Sequence, residues 1–162
     1  MRLKRGLYTF GAKYLRRQLN PFVLAQVLYS PSYVSLESAL AYYGLIPEAA
    51  YSVSSICTRR KARFDTPVSV FEYFTVSRDA FAAGVIRIEE ENISFFIASP
   101  QKALLDYAYV QKKNWKDLAD LRADLRLDES FLSTLALSEL EPLAVLYHSK
   151  RLYSLITKLL VS

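Results

Sequence analysis

The spacing of hydrophobic positions predicts two helices in the first third of the chain. "NPFVLAQVLY", residues 20–29, places apolar side chains at intervals of three and four after Asn20, a residue typical of helix N-caps. "SLESALAYYG", residues 35–44, has the same form, with Ser35 as the cap and Gly44 where a helix would end. Both segments are therefore predicted to be short helices.

From Tyr51 onward the period shortens to that of strands. "YSVSSICT", residues 51–58, is rich in small and β-branched residues, and "SVFEYFTV", residues 69–76, is apolar on both faces and should be covered on both. "VIRIEEENISFFIAS" predicts a hairpin at about 85–98 that turns at Asn92. The alternation predicts that Ile86, Ile88, Ile93, Phe95 and Ile97 are buried and that Arg87 and Glu89 are exposed.

The last third is predicted to be helical. "SPQKALLDYAYVQ", residues 99–111, and "NWKDLADLRADLRL", residues 114–127, carry the helical period. "SELE", residues 138–141, matches a capping box that would open a helix running nearly to Leu160. With "LKRGLYTF", residues 3–10, as one strand of a small hairpin, the fold class is α+β: an antiparallel sheet, two helices before its hairpin and a helical C-terminal region.

Composition supports one main core, and the charge is unevenly distributed. The 162 residues have a formal net charge of +5, and no acidic residue precedes Glu37. A second basic cluster, Arg59 to Arg63, stands before a predicted strand. Two interpretations of this cluster stay open, a solvated loop and a surface that contacts phosphate. The candidate nucleic-acid-binding residues are Arg2, Lys4, Arg5, Arg16, Arg17, Arg59, Arg60, Lys61 and Arg63. If the strand continued through the cluster, Arg59, Lys61 and Arg63 would share a surface and Arg60 would face away.

Few residues are suited to catalysis or metal binding. Cys57 and His148 are the only residues of their types, and none of the 4 glycines forms a phosphate-binding motif. Cys57 is predicted to be buried, although flanking cations could lower the pKa of its thiol. His148 is predicted to be packed on a helical face, and Glu89 to Glu91 form a solvated turn. We expect no enzymatic activity, cofactor or metal, and no segment is apolar enough to span a membrane.

Four segments in order carry a resemblance to a known family. They are "RGLY", "PSYVSLESALAYYGLIPE", "TRRKARFDTPVSVFEYFTV" and "FFIASPQKALLDYAYV". Together they resemble the AbiEi family, the antitoxin and transcriptional regulator of abortive-infection type IV toxin-antitoxin systems. The resemblance runs from about Leu3 to Val110, and residues 111–162 match only as a helical tail.

The resemblance implies a cytoplasmic regulatory protein. Family members bind their operator DNA through an N-terminal winged helix-turn-helix, and they counteract an AbiEii-like nucleotidyltransferase toxin. In this chain "LKRGLYTF" is similar to the end of the wing, and the recognition helix expected before it is missing. Residues 1–19 are thus interpreted as a basic, wing-like remnant and residues 20–162 as the antitoxin domain. The alternative function is a protein-protein interaction module that does not bind nucleic acid.

Overall fold

The computed structural model describes residues 2–8, 19–47, 51–135 and 137–161. The strands are β1 (Arg2–Lys4), β2 (Leu7–Tyr8), β3 (Ser32–Val34), β4 (Ser52–Cys57), β5 (Ala62–Asp65), β6 (Val70–Thr75), β7 (Val85–Glu90) and β8 (Ile93–Ala98). The helices are α1 (Pro21–Leu28), α2 (Leu36–Tyr42), α3 (Arg78–Phe81), α4 (Pro100–Gln111), α5 (Leu118–Leu125), α6 (Glu129–Thr134), α7 (Leu137–Val145) and α8 (Lys150–Val161).

The predicted α+β class is confirmed, with a mixed rather than an antiparallel sheet. Six strands follow the order β5-β6-β4-β3-β8-β7, and β1 and β2 form a separate hairpin. The pairs β4-β6 and β3-β8 are parallel. The expectation of a purely antiparallel sheet was wrong because β3 and β5 were not predicted. Strands of three and four residues are too short to show a period. The same limit hid the short helices α3 and α6.

Helices cover both faces of the sheet. On one face α1 lies over β6 and β8: the Tyr73 hydroxyl donates to the Ala25 carbonyl at 2.5 Å, and the Phe22 and Phe95 rings are 5.5 Å apart. On the other face α4 approaches β3, where the Tyr33 hydroxyl donates to Asp106 at 3.0 Å. The covering predicted for both faces of residues 69–76 is confirmed only for the face of Phe71 and Tyr73, because Val70, Glu72 and Phe74 on the other face are half-buried.

The hydrophobic core has two parts joined by α4. One cluster contains Leu104 and Tyr107 with the sheet, α1 and α2, and it also includes Leu3 of the N-terminal hairpin. The second contains Leu105 and Ala108 with residues of α7 and α8. Helix α4 thus contributes neighbouring faces to the two clusters. None of the described helices is long and apolar enough to cross a membrane.

Helix boundaries agree with the predicted caps at some positions. The Asn20 side chain accepts the Phe22 N–H at 2.9 Å, and Ser99 accepts the Lys102 N–H at 3.1 Å. Gly44 has the expected left-handed conformation, with φ of 71°. Ser35 precedes α2, but its side chain makes no cap hydrogen bond. Its hydroxyl donates instead to Asp106.

The predicted capping box at residues 138–141 was wrong. Helix α7 begins at Leu137, and the chain turns before α8 starts at Lys150. The Ser149 hydroxyl accepts the Leu152 N–H at 3.2 Å, so Ser149 caps α8. The helix predicted over residues 114–127 also begins later, at Leu118, because Asp117 provides its cap.

The hairpin of β7 and β8 is present, but its burial differs from the prediction. Phe95 and Ile97 are buried, and Arg87 and Glu89 are exposed, as expected. Ile88 and Ile93 are only half-buried, and Ile86 is 41% exposed. The reason is that β7 is an edge strand of the sheet. Alternation alone does not reveal an edge.

Candidate nucleic-acid interface

The predicted basic cluster lies in the turn from β4 to β5. The backbone of this turn is held from two sides. The Cys57 thiol donates to the Arg59 carbonyl at 3.4 Å, and the Tyr29 hydroxyl donates to the Arg60 carbonyl at 2.9 Å. The turn is therefore attached both to the sheet and to the end of α1. A cluster carried on such a turn has a defined position.

The four cations of the cluster have different surroundings. The Arg59 guanidinium carbon is 4.3 Å from the centre of the Tyr29 ring, and the Lys61 Nζ is 5.0 Å from that of Phe74. Arg60 is exposed, although its backbone carbonyl is held by Tyr29. Because residues 58–61 form a turn, the alternation that strand geometry would impose does not apply here.

Arg63 is separate from the other cations. It belongs to β5, where its guanidinium lies 3.2 Å from Asp65 and 3.8 Å from Glu72. In the register Arg63 is opposite Glu72, and partnered residues project from the same face. Two carboxylates thus offset its charge.

The N-terminal hairpin brings a further cation to the same place. The Lys4 Nζ lies 5.7 Å from the centre of the Phe64 ring and donates to the Leu28 carbonyl. The Phe64 and Tyr29 rings are themselves 5.7 Å apart, so Lys4 and Arg59 rest on one pair of aromatic rings. We call Lys4, Arg59 and Arg60 the basic surface; Lys61 is not part of it, because Phe74 projects from the opposite face of the sheet to Phe64 and Tyr73. Sequence reasoning found both basic segments but did not predict that they meet.

The remaining candidate residues lie around or outside this region. Arg2 and Arg5 are exposed on the hairpin that carries Lys4. Arg16 and Arg17 lie outside the described residues. Contacts between a cation and an aromatic face restrain the side chain while leaving its N–H groups free to bind. Arg59 and Lys4 can therefore bind phosphate oxygens with side chains that are already positioned, and the exposed Arg60 lies between Arg59 and Lys61 in the sequence.

A buried ion pair was missed by sequence reasoning. Lys102 and Asp106, one turn apart on α4, have side chains that are 0% exposed, with Lys102 Nζ 3.3 Å from Asp106 Oδ1. Tyr147 accepts a hydrogen bond from Lys102 at 2.8 Å and donates one to Asp106 at 2.5 Å. Tyr33 and Ser35 donate to the other carboxylate oxygen, and the Ala80 carbonyl accepts from Lys102. The sequence did contain a sign of this pair, since Lys102 and Asp106 are two opposite charges at i and i+4 inside an apolar segment.

The surroundings of the pair oppose its ionisation, and the attraction between its two charges supports it. Burial lowers the pKa of Lys102 and raises the pKa of Asp106, while the attraction between the two side chains opposes both shifts. Burial, reinforced by Asp106, raises the pKa of Tyr33 and of Tyr147, so both phenols remain hydrogen-bond donors. Both side chains of the pair are enclosed by protein and closed to solvent.

Cys57 agrees with the prediction of burial, and His148 differs from its prediction. Cys57 is buried as predicted, and burial raises the pKa of its thiol because it outweighs the opposing effect of Arg59. His148 lies in the turn after α7 with its side chain 64% exposed and its Nε2 2.7 Å from Asp79. The predicted packing of this histidine was wrong because the helix ends before it.

Within the described ranges no three His, Cys, Asp or Glu residues are grouped to hold a metal ion.

Comparison with known proteins does not assign a family. No protein-family model matches the chain, and a search of curated proteins finds no match. The resemblance to the AbiEi family therefore stays a prediction that rests on the four quoted segments.

Proposed function

We propose that this protein is an antitoxin-type regulator of a type IV toxin-antitoxin system, and that its basic surface contacts DNA phosphates in autoregulation. The observation that carries the DNA contact is the meeting of Lys4 and Arg59 on the Tyr29 and Phe64 rings. A charged loop that serves only solubility does not require restrained side chains or a second basic segment beside it.

The chemistry of the surface suits a phosphate backbone better than base edges. Its cations lie on a turn and on a hairpin whose strands have only three and two residues, and none of them lies on a described helix that could enter the major groove. We therefore expect binding with little sequence preference and strong dependence on salt. Sequence-specific operator recognition would need a further element.

The DNA contact is tested by titrating a generic duplex at two salt concentrations. The variant Arg59→Ala/Arg60→Ala should weaken binding and flatten the salt dependence by up to about one unit per lost contact. Lys116→Ala/Lys150→Ala removes two exposed cations outside the basic surface and serves as the charge-matched control. Arg63→Ala should change little because Asp65 and Glu72 already offset its charge.

Two results would contradict the contact. One is an equal loss of affinity in the variant and in its control, which would show a response to net charge alone. The other is no binding at low salt by the unaltered protein, which would favour the interaction module without nucleic acid.

The antitoxin role rests on the resemblance and has its own test. Co-expression with a nucleotidyltransferase-like toxin encoded beside this gene should restore the growth that the toxin alone prevents. Undiminished toxicity at confirmed expression of both proteins would reject this role. It would leave the DNA contact to be judged by the titration.

A further inference from the structure

The two edges of the six-stranded sheet have opposite character. Strand β5 has four residues, includes the charged Arg63 and Asp65, and is followed closely by Pro67. Short length, charge and proline are features that prevent edge strands from pairing with other chains. Strand β7 has six residues, contains no proline, and has no described strand on its outer side. Among the described residues, the sheet is therefore protected at one edge and unpaired at the other.

The hydrogen-bond pattern shows which residues of β7 face outward. The Ser99 N–H donates to the Gly84 carbonyl at 2.8 Å, at the start of the β7-β8 ladder. In an antiparallel pair, hydrogen-bonded positions alternate with positions whose backbone groups point away. Ile86, Ile88 and Glu90 consequently bond to β8. The backbone groups of Val85, Arg87 and Glu89 point away from the sheet.

The turn of the hairpin leads to the same assignment. Glu91 and Asn92 have φ of 41° and 74°, which is the two-residue turn typical of tight hairpins. Such a turn is closed by a hydrogen-bonded pair, here Glu90 and Ile93. Counting back from Glu90 again leaves Arg87 and Glu89 with their backbone groups unpaired by β8.

We propose that β7 pairs antiparallel with β7 of a second copy of this chain, about a twofold axis at Ile88. This register places Arg87 opposite the partner's Glu89, and Glu89 opposite the partner's Arg87. The outward backbone groups of these residues then form the hydrogen bonds of the new ladder. The sequence of β7 is thus complementary to itself in charge and in hydrogen-bond pattern.

Neighbouring registers lack this complementarity. The smallest shift that preserves the hydrogen-bond pattern is two residues. In one direction it sets Arg87 opposite the partner's Arg87, and in the other it sets Glu89 opposite the partner's Glu89. Like charges directly opposite each other destabilise a strand pair. Charge therefore selects one register.

The exposed side chains beside β7 fit the same arrangement. Arg87 and Glu89 are 3.0 Å apart with 59% and 67% of their side chains exposed, so both can also bind across the axis. Ile86 is 41% exposed on one face and Phe96 is 46% exposed on the other. Pairing brings Ile88 against the partner's Ile88, which also lies diagonally from Ile86, and it sets Ile86 opposite the partner's Glu90. The charges and hydrogen-bonding groups of β7 therefore fit a second copy of the same strand.

The test is a measurement of molecular mass at several concentrations by analytical ultracentrifugation. The unaltered full chain should form a dimer. Arg87→Glu alone and Glu89→Arg alone each set like charges across the axis and should shift the protein to the monomer by at least tenfold in dissociation constant. The double variant R87E/E89R restores opposite charges and should restore the dimer.

Restoration of the dimer by the double variant distinguishes loss of the β7 pairing from other causes of dissociation. Both residues are exposed, so circular dichroism spectra should be unchanged in all three variants. A monomeric unaltered protein at about 0.1 mM, well above the usual range of stable dimers, would overturn the proposal. A dimer insensitive to both single reversals would also overturn it, because another surface would then hold the copies together. Failure of DNA binding would leave this measurement unaffected.

Discussion

Substitution of the buried Asp106 should strongly lower the stability of the folded protein. Its two carboxylate oxygens accept hydrogen bonds from three hydroxyls and lie against one ammonium group. Every polar atom in this group depends on the others because none of them reaches water. Removing one partner of a buried ion pair typically costs about 3–5 kcal/mol, since the other charge is left uncompensated.

We expect Asp106→Asn to lower the free energy of unfolding by about 3–5 kcal/mol, measured by urea denaturation. The amide cannot balance the charge of Lys102. Asp65→Asn, at an exposed position, is the control and should change stability by less than about 1 kcal/mol.

The double variant Lys102→Met/Asp106→Asn should lose less than the sum of the two single variants, because it leaves no unpaired charge. An additive result would show that the two side chains stabilise the protein independently. It would contradict the mutual dependence of Lys102 and Asp106.

The single cysteine should react slowly in the folded protein. Cys57 is buried and the raised pKa of its thiol disfavours the thiolate, which is the reactive form. We expect alkylation by iodoacetamide at neutral pH to be at least about tenfold slower in buffer than in urea, because access and ionisation are both limited in the fold. Equal rates would indicate that the turn at residues 58–61 opens readily and does not hold the basic surface in place.

At the scale of elements, the connection from α4 to α5 is held by one partly exposed carboxylate. The Asp124 carboxylate accepts from the Tyr107 hydroxyl at 2.8 Å and lies 2.8 Å from Lys113 Nζ. Partial burial raises the pKa of Asp124, but hydrogen bonds from Lys113 and Tyr107 outweigh it and hold the pKa below its ordinary value. The charged form therefore stabilises the folded state.

This contact should make stability depend on pH. A carboxyl group with a lowered folded pKa stabilises the protein above its unfolded pKa, about 3.9, and loses that effect as pH falls through the folded value. At pH 7 we expect Asp124→Asn to be less stable by about 1 kcal/mol or less, as is usual for a partly exposed pair. Thermal unfolding measured from pH 7 down to pH 3 should show the difference shrinking below about pH 4. A difference that is constant with pH would mean that the charge of Asp124 is not involved.

At the scale of the whole molecule, the longer elements could be predicted and their arrangement could not. Periods in residues 69–76 and 99–111 extend far enough to identify a strand and a helix. The three-residue β3 carries no such period, and without it the parallel pairing of the sheet could not be foreseen. The meeting of Lys4 with Arg59 depends on the packing of Tyr29 and Phe64, which is a tertiary contact with no local pattern. The unpaired edge at β7, within the described part of the chain, was hidden for the same reason.

Tyr147 makes the C-terminal part of the chain important for the stability of α4, although no sequence motif in that part indicates it. The four segments that carry the predicted resemblance to the AbiEi family end at Val110. Yet the Tyr147 hydroxyl, far beyond them, bonds to both members of the ion pair on α4. A shortened chain that stopped after α4 would open this pair to solvent and uncover the apolar side of the helix. We therefore expect a fragment of this protein to fold only if it extends at least to Tyr147.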